Sequence, residues 1–284
     1  ENRKFLIHLP LSKGENPVTL KATDVNGNSS FKKFTINRKN NSEEYDPMVA
    51  RNFLFVAGVD NYRYWSRLNN AVKDGNDLAR ILMNNYNFEF SNITILKDEQ
   101  ATRNNIYKGL RSLIEKITPQ DNLIIYFSGH GYFDELMNEG YWIPVNANLN
   151  SEGDYLPNSS ILKIIENINS QHTLLIADAC FAGSMFTASN RGGYIDKVEK
   201  HKSRWGLASG RLEQVSDGQV GSNSPFTRVL LTYLRDNPKS EFTVSELIQH
   251  VKIKVSEQTG QTPIGDRLRL SSDEGGEFVF RKSL

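Results

Sequence analysis

Cysteine is the scarcest residue in the sequence, with a single example, Cys180, among 284 residues. One thiol forms neither an intramolecular disulfide nor a multi-cysteine metal site. The five histidines are scattered, and none lies in the His-Glu-x-x-His pattern of a zinc peptidase. These absences exclude a disulfide-stapled scaffold and the common zinc modules.

Long apolar runs and a charge imbalance are also missing. Apolar runs such as Phe53–Val59 and Leu174–Ala177 are strand-sized, whereas a membrane-spanning helix needs roughly 20 apolar residues. The formal net charge of +1 gives no reason to expect nucleic acid or an anionic membrane as a partner. We therefore expect no nucleic-acid partner and no membrane segment in this chain.

The beginning of the chain has the pattern of a β-hairpin. Two β-rich runs, Val18–Asp24 and Ser30–Ile36, flank Asn26 and Gly27, a dipeptide that favours a tight turn. A lone hairpin is only marginally stable, and this one resembles the closing hairpin of bacterial immunoglobulin-like repeats. Residues 1–39 are therefore predicted to be the end of a β-sandwich module.

Two further segments follow the hairpin. Residues 40–51 are polar and are interpreted as a linker, and residues 52–284 are predicted to form the main domain. The chain starts at Glu1 and shows no signal peptide, so we expect a piece of a longer protein. The resemblance of the first segment favours a bacterial protein, either cytoplasmic or exported.

Apolar strands alternate with amphipathic helices throughout the main domain. The predicted strands are Phe53–Val59, Ile93–Leu96, Leu123–Phe127, Thr173–Asp178 and Trp205–Ser209. Helices are expected over residues 70–83, 106–117 and 159–168, and two more begin after the capping residues Ser224 and Thr243. This alternation predicts an α/β fold: a three-layer α-β-α sandwich around a mainly parallel sheet of about six strands, with the hairpin in front of it.

The ends of two consecutive strands carry the residues of chemical interest. Ligands of such sheets bind at the carboxyl ends of the strands. Ser128, Gly129, His130 and Gly131 follow the third predicted strand, and Cys180 follows the fourth. A thiol beside an imidazole is the minimal machinery for attack on an amide, since the histidine takes the thiol proton and later protonates the leaving amine. The sequence therefore predicts a catalytic pair at one sheet edge.

Taken separately, both residues have plainer interpretations. A lone cysteine after an apolar strand is most often a small buried hydrophobic residue, and a histidine between glycines is most often a loop residue. The separation of the pair, 180 − 130 = 50 residues, is the spacing seen in caspases. This coincidence of position favours the catalytic interpretation.

Ser-Gly-His-Gly after one strand and Asp-Ala-Cys-x-x-Gly after the next resemble the motifs of the caspase and metacaspase superfamily. The resemblance extends over about residues 52–280 and implies a caspase-like fold and cysteine endopeptidase activity. It implies that His130 and Cys180 are the catalytic dyad, and that the backbone N–H groups of Gly131 and Cys180 bind the oxyanion. No third catalytic residue is expected. Phe181 departs from the histidine that many metacaspases have at that position.

The same resemblance suggests what the enzyme cleaves. Asp178 stands where metacaspases have an acidic pocket residue, and Asp60 is similar in position to a second one. Ser128 and Ser209 are expected to complete the substrate pocket. Two carboxylates suit a guanidinium or ammonium group, so protein or peptide substrates are predicted to be cleaved after Arg or Lys. The structural alternatives are that Asp178 only bonds neighbouring backbone and that Asp60 only caps a turn. Arg211 would reverse the specificity if its side chain entered the cleft.

A long polar segment, residues 184–204, follows the predicted nucleophile. It contains the basic residues Arg191, Lys197, Lys200, Lys202 and Arg204. A peptidase specific for basic residues would process itself in an exposed loop of this kind. A solvated loop with no such role is the equally weighted alternative.

No cofactor is predicted to be required. Calcium activation is left open, but neither Asp134-Glu135 nor Asp273-Glu274 has the periodic ligand spacing of a calcium loop. The main alternative function is a catalytically silent or zymogen scaffold that acts as a signalling or binding module. A nucleotide-binding domain is disfavoured because no strand is followed by a glycine-rich phosphate loop, and an esterase because no Gly-x-Ser-x-Gly motif occurs.

Overall fold

The computed structural model describes residues 14–38, 50–179, 199, 201–210 and 217–283. Backbone contacts divide the chain into two compact units, Glu1–Val49 and Ala50–Leu284. The described residues leave out Cys180, Phe181, Arg191, Lys197, Lys200 and Arg211, which were discussed above. The architecture below is that of the described ranges.

The described part of the first unit is an antiparallel hairpin of β1 (Gly14–Thr23) and β2 (Ser29–Arg38). The strands are joined by residues 24–28, a loop longer than a two-residue turn, which includes Asn26 and Gly27 as predicted. The Asp24 carboxylate accepts hydrogen bonds from the backbone N–H groups of Asn26 and Asn28, each at 2.9 Å. These bonds stabilise a longer loop in which Gly27 adopts a φ of +85°. That this hairpin belongs to an immunoglobulin-like sandwich stays a prediction.

The second unit is built around a parallel sheet. Its strands are β3 (Asn52–Gly58), β4 (Ile93–Lys97), β5 (Asn122–Ser128), β6 (Gly131–Asp134), β7 (Glu139–Trp142), β8 (Leu156–Pro157), β9 (His172–Asp178), β10 (Ser203–Ala208), β11 (Glu241–Thr243), β12 (Ile264–Arg267) and β13 (Val279–Arg281). Six of them form the central sheet in the order β4-β3-β5-β9-β10-β12. Only β12 is antiparallel to its neighbour, so the predicted mainly parallel sheet is confirmed, and the other five strands end at the same edge.

Helices cover both faces of this sheet, as predicted. They are α1 (Ala71–Asn85), α2 (Arg103–Lys116), α3 (Asn158–Asn167), α4 (Pro225–Asp236) and α5 (Val244–Gln258). Leu78 of α1, Leu230 of α4 and Leu247 of α5 pack in one apolar core, whereas Leu110 of α2 and Ile161 of α3 pack in the other. The result is a three-layer sandwich. None of the helices in the described ranges is long and apolar enough to cross a bilayer.

Two helix starts follow the capping signals of the sequence. Ser224 is the N-cap of α4, where its hydroxyl accepts from the Thr227 N–H at 3.0 Å and Pro225 occupies the first turn. Thr243 caps α5 by accepting from the N–H of Glu246. Each cap satisfies one of the four N–H groups that a helix start leaves without an internal partner.

A small antiparallel sheet, β6-β7-β8, was not predicted from the sequence. It follows β5 directly, and the β6–β7 pair is a hairpin in which Tyr132 lies opposite Tyr141. Its strands have four, four and two residues, too short for an alternating pattern to stand out. It is tertiary packing of their aromatic residues that holds these short strands in place.

Arg204 corrects the prediction of an exposed basic loop that extends to residue 204. It lies in β10 and is fully buried. Its guanidinium donates to the carbonyl oxygens of Ile168 and Ser170, just beyond α3, at 3.2 and 3.1 Å. These carbonyl groups need donors where the helix ends, which explains why a charged residue is buried here. Arg204 is therefore not an exposed cleavage site.

Candidate active site

The four polar residues assigned to a pocket share one face at the carboxyl edge of the sheet. Leu174 and Ile176 pack in the core under α1, α4 and α5, whereas Leu175 and Ala177 pack in the core under α2 and α3. Because side chains alternate along a strand, Asp178 belongs to the face of α1 and α4. The same alternation in the neighbouring strands assigns Asp60, Ser128 and Ser209 to that face.

The Asp178 carboxylate is buried, with 5% of the residue exposed. Two hydroxyl groups at the start of α4 donate to its Oδ2 atom: Ser224 Oγ at 2.5 Å and Thr227 Oγ1 at 3.0 Å. Burial raises the pKa of Asp178, and these hydroxyl bonds oppose that rise. The alternative that Asp178 bonds only neighbouring backbone does not agree with the geometry, since two side chains of α4 also donate to it.

A second buried carboxylate, Asp74 of α1, lies behind the first. It is fully buried and accepts from Asn223 Nδ2 at 2.7 Å and from the Ser224 N–H at 3.3 Å. Desolvation, and secondly the charge of Asp178, raise its pKa to about 8. Ser224 thus bonds both acids. Sequence analysis missed this network, although the Ser224-Pro-Phe-Thr227 run that builds it is a visible helix-start signal.

Asp60 bonds the start of α1. Its carboxylate accepts from the N–H groups of Ala71 at 2.7 Å and Val72 at 3.3 Å, in the first turn of α1. Burial raises the pKa of Asp60, and the bonds to the helix oppose this rise. The capping alternative raised from the sequence is therefore real. It leaves the role of Asp60 in substrate binding as a prediction.

The two serines of the predicted pocket are buried. Ser128 ends β5 and is 4% exposed, and Ser209 follows β10 and is fully buried. The Ser209 hydroxyl helps to lower the pKa of Asp178. Its oxygen makes no hydrogen bond of ordinary geometry to the described residues.

His130 is oriented by the loop that follows β3. The imidazole Nε2 lies 2.8 Å from the backbone carbonyl oxygen of Ser66 and 3.1 Å from its hydroxyl. A carbonyl oxygen only accepts, so Nε2 carries the proton and Nδ1 of the neutral ring has a free lone pair. Desolvation lowers the pKa of His130, with a smaller opposing effect from the Ser66 bond. Both features favour a neutral imidazole that is ready to accept a proton at Nδ1.

Tyr62 explains the glycine that precedes His130. The Tyr62 hydroxyl accepts from the His130 N–H at 2.7 Å and donates to the Ile143 carbonyl at 3.1 Å. A Cβ atom at Gly129 would stand 2.4 Å from this hydroxyl, closer than any real contact. The glycine thus makes room for the tyrosine that fixes the backbone of His130. Neither Tyr62 nor the Ser66 carbonyl was predicted as part of the site.

Strand register brings together, at one edge of the sheet, the residues that precede the two predicted catalytic positions. Ser128 of β5 lies directly opposite Asp178 of β9, and His130 and Cys180 each follow two residues later in the sequence. Cys180 itself lies outside the described residues, so its role as nucleophile and its share of the oxyanion hole stay predictions. Gly131 begins β6 directly after His130, and its oxyanion role also stays a prediction.

The acidic segments considered for calcium are engaged with protein groups. Asp134 accepts from the N–H groups of Leu136 and Met137, which orders the β6–β7 turn. Asp273 accepts from the Arg204 N–H, and Glu274 from the Lys202 N–H. No cluster of three or more metal-ligating side chains occurs among the residues that the structure describes. Calcium dependence is not decided by these contacts.

Comparison with known proteins identifies the domain. The family model described as the caspase domain matches residues 51–272. Metacaspase-1 of Scheffersomyces stipitis is 26% identical over 94 residues, which are 31% of this chain and 23% of that protein. Metacaspase-1 of Saccharomyces cerevisiae is 26% identical over 103 residues, 34% of this chain and 24% of that protein. The match thus spans about a quarter of these relatives.

A solved structure has the same fold. Protein GSU0716 from Geobacter sulfurreducens superposes with a TM-score of 0.57 over 76% of this chain and 93% of its own, at 15% sequence identity. At that identity the likeness concerns the fold alone. It agrees with the six-stranded sheet and the helices on its two faces.

Proposed function

The chain belongs to the caspase domain family, and on that premise we propose that it is a cysteine endopeptidase with Cys180 as nucleophile and His130 as general base. The observation that supports this best is the hydrogen bond from His130 Nε2 to the Ser66 carbonyl. It fixes the tautomer in which Nδ1 is the free base, and the depressed pKa of His130 keeps the ring neutral near pH 7.

The proposed reaction proceeds through an acyl-enzyme. Nδ1 of His130 takes the thiol proton of Cys180, and the thiolate attacks the scissile carbonyl carbon. The N–H groups of Gly131 and Cys180 stabilise the oxyanion. As the C–N bond breaks, the imidazolium returns its proton to the leaving amine. A water molecule then attacks the thioester while His130 takes its proton, which releases the acid and restores the thiol.

We propose cleavage after Arg or Lys. The hydroxyls of Ser224 and Thr227 both donate to Oδ2 of Asp178, so we assign acceptance from the substrate guanidinium to its other oxygen, beside the Ser209 hydroxyl. Asp60 adds a second carboxylate and Ser128 a polar wall on the same face of the sheet. A guanidinium offers the donors that such a pair of acceptors requires.

Self-processing in residues 184–204 is a further part of the proposal. Arg204 is excluded by its burial, and Lys202 is half-buried and donates to Asn169 Oδ1. The remaining basic residues, Arg191, Lys197 and Lys200, lie outside the described residues. Mass spectrometry of purified wild type beside Cys180→Ala tests this. Cleavage after one of these three residues in the wild type alone supports it, whereas no cleavage in either protein, or the same cleavage in both, contradicts it.

Fluorogenic peptides that differ only before the scissile bond, with Arg, Lys, Asp or Leu, test the main proposal. Hydrolysis after Arg and Lys that disappears in Cys180→Ala is the expected result. Hydrolysis after Asp would keep the dyad and contradict the acidic pocket. No hydrolysis by the wild type, with and without calcium, would favour the zymogen or scaffold alternative.

A further inference from the structure

A row of aromatic side chains extends from His130 along the β6–β7 hairpin. The Ile143 N–H donates to the His130 carbonyl at 3.0 Å, so the hairpin ladder reaches back to the histidine. Because side chains alternate along a strand, His130 and Tyr132 share one face, and Tyr141 joins it as the cross-strand partner of Tyr132. We call Tyr62, Trp65, Tyr132, Tyr141 and Tyr155 the aromatic row.

Ring contacts make the row continuous. Tyr62 and Trp65 lie 4.8 and 5.6 Å from the imidazole of His130, centroid to centroid. Trp65 contacts Tyr155 at 5.8 Å. Tyr155 contacts Tyr132 at 5.6 Å and Tyr141 at 5.9 Å. The rings at the far end of the row are therefore connected to the proposed general base through ring contacts alone.

The row is only partly covered. Tyr155 is buried, whereas Trp65, Tyr132 and Tyr141 are half-buried and retain exposed ring surface. The indole N–H of Trp65 is buried and has no hydrogen-bond partner among the described residues. An unsatisfied donor beside a catalytic histidine is a feature that a ligand carbonyl would satisfy. The row thus offers apolar surface and one free donor.

The chemistry of the dyad determines which part of a substrate meets this surface. His130 must protonate the leaving amine, so the residues beyond the scissile bond lie on the side of the imidazole. The acidic pocket lies on the sheet face of α1 and α4, where Asp178 is held by α4. Tyr62 instead packs with the core of α2 and α3 and with the hairpin. Tyr62, the ring of the row nearest to His130, therefore packs on the other face of the sheet from the acidic pocket.

We propose that the aromatic row is the subsite for the leaving-group side of the peptide, and that it selects an aromatic or large aliphatic residue directly after the scissile bond. The inference rests on the proposed peptidase function. Aromatic side chains bury large areas at little entropic cost and prefer the edge-to-face contacts that half-exposed rings offer. A glycine or an acidic residue at that position gains no binding free energy from this surface, because it has no apolar side chain to bury there.

Quenched peptides with Arg before the bond and Phe, Leu, Gly or Asp after it test the proposal. The wild type is expected to cleave the Phe and Leu peptides with a kcat/KM at least about tenfold above the Gly peptide. Tyr132→Ala should remove most of this preference, and Tyr132→Phe should keep it because the ring remains. Phe90→Ala is the matched control, since Phe90 is 80% exposed and precedes β4, at the amino edge of the sheet.

An acyl-arginine methyl ester separates the two proposals, because its leaving group is methanol and cannot reach the row. If the wild type hydrolyses neither ester nor peptides, the peptidase proposal fails. If it hydrolyses the ester but cleaves Phe and Gly peptides equally, only the subsite is wrong. Equal losses on ester and peptides in Tyr132→Ala would show a structural role and would also overturn the subsite. Fluorescence anisotropy of the Phe and Gly peptides bound to Cys180→Ala, which does not cleave them, compares their affinities for the subsite without turnover.

Discussion

Asp74→Asn should change the way in which stability depends on pH. The folded protein raises the pKa of Asp74 from 3.8 to about 8 because the carboxyl is desolvated and faces the charge of Asp178. The folded state therefore holds a proton that the unfolded state releases. The contribution of Asp74 to the free energy of unfolding is fully present below its pKa in the unfolded state. It is lost as the pH rises toward its pKa in the folded state.

The magnitude follows from the linkage relation. Between the two pKa values, one proton more is bound in the folded state, so the free energy of unfolding falls by about 1.4 kcal/mol per pH unit. Across the interval the loss is on the order of 5 kcal/mol. The amide side chain of the variant cannot ionise, so this slope should vanish. We expect the variant to be less stable than wild type near pH 5, where the carboxyl bonds are intact, and more stable near pH 8.5.

Urea unfolding at pH 5, 6, 7, 8 and 8.5 measures this change of sign. Asp236→Asn serves as control, because Asp236 is exposed at the end of α4 and pairs with Arg235 in an exposed ion pair, so its slope should stay close to that of the wild type. A constant difference between Asp74→Asn and wild type at every pH would refute the reasoning. It would mean that Asp74 is not the group that holds the extra proton.

Three further predictions concern the site. In the pH profile of kcat/KM, the midpoint of the fall on the acid side should lie below the ordinary histidine pKa of about 6.5. The reason is that the base must be deprotonated and burial lowers the pKa of His130. A midpoint above that value would contradict the assignment. Gly129→Ala should abolish activity or unfold the domain because its Cβ meets the Tyr62 hydroxyl at 2.4 Å. Combining it with Tyr62→Phe removes that hydroxyl and should restore part of the thermal stability. Losses of thermal stability that simply add in the double variant would contradict the clash. Ser224→Ala should lower the free energy of unfolding, measured in urea, by roughly 1–2 kcal/mol because the α4 cap is lost. It should also raise KM for arginine peptides, because Asp178 loses a hydrogen bond that orients it. An unchanged KM would show that Asp178 does not need this bond.

Much of the fold was predictable because it depends on local patterns. The buried strand over Phe53–Val59 and the capping residues Ser224 and Thr243 appear in the structure close to where the sequence predicts them. Each of these signals lies within a few consecutive residues. The loop around Asn26 and Gly27 is longer than a two-residue turn because the Asp24 side chain, two residues before Asn26, offers the backbone competing hydrogen bonds.

The candidate site was predictable only in part. His130 and Asp178 were found because each follows an apolar strand and belongs to a motif. The partners that orient them, Ser66, Tyr62 and Ser224, are respectively 64, 68 and 46 residues away in sequence. One of these partners acts through its backbone carbonyl, which any residue type supplies and no sequence pattern marks.

Sequence alone thus determined the class of fold, the sheet edge and the pair of residues expected to carry the chemistry, because strand periodicity and motif order are written along the chain. Only the tertiary structure decided which nitrogen of His130 carries the proton, that Asp178 accepts hydrogen bonds from α4 with Asp74 behind it, and that Arg204 is buried. Those features depend on contacts between distant segments, where desolvation and hydrogen-bond geometry act on groups that the linear sequence does not place together.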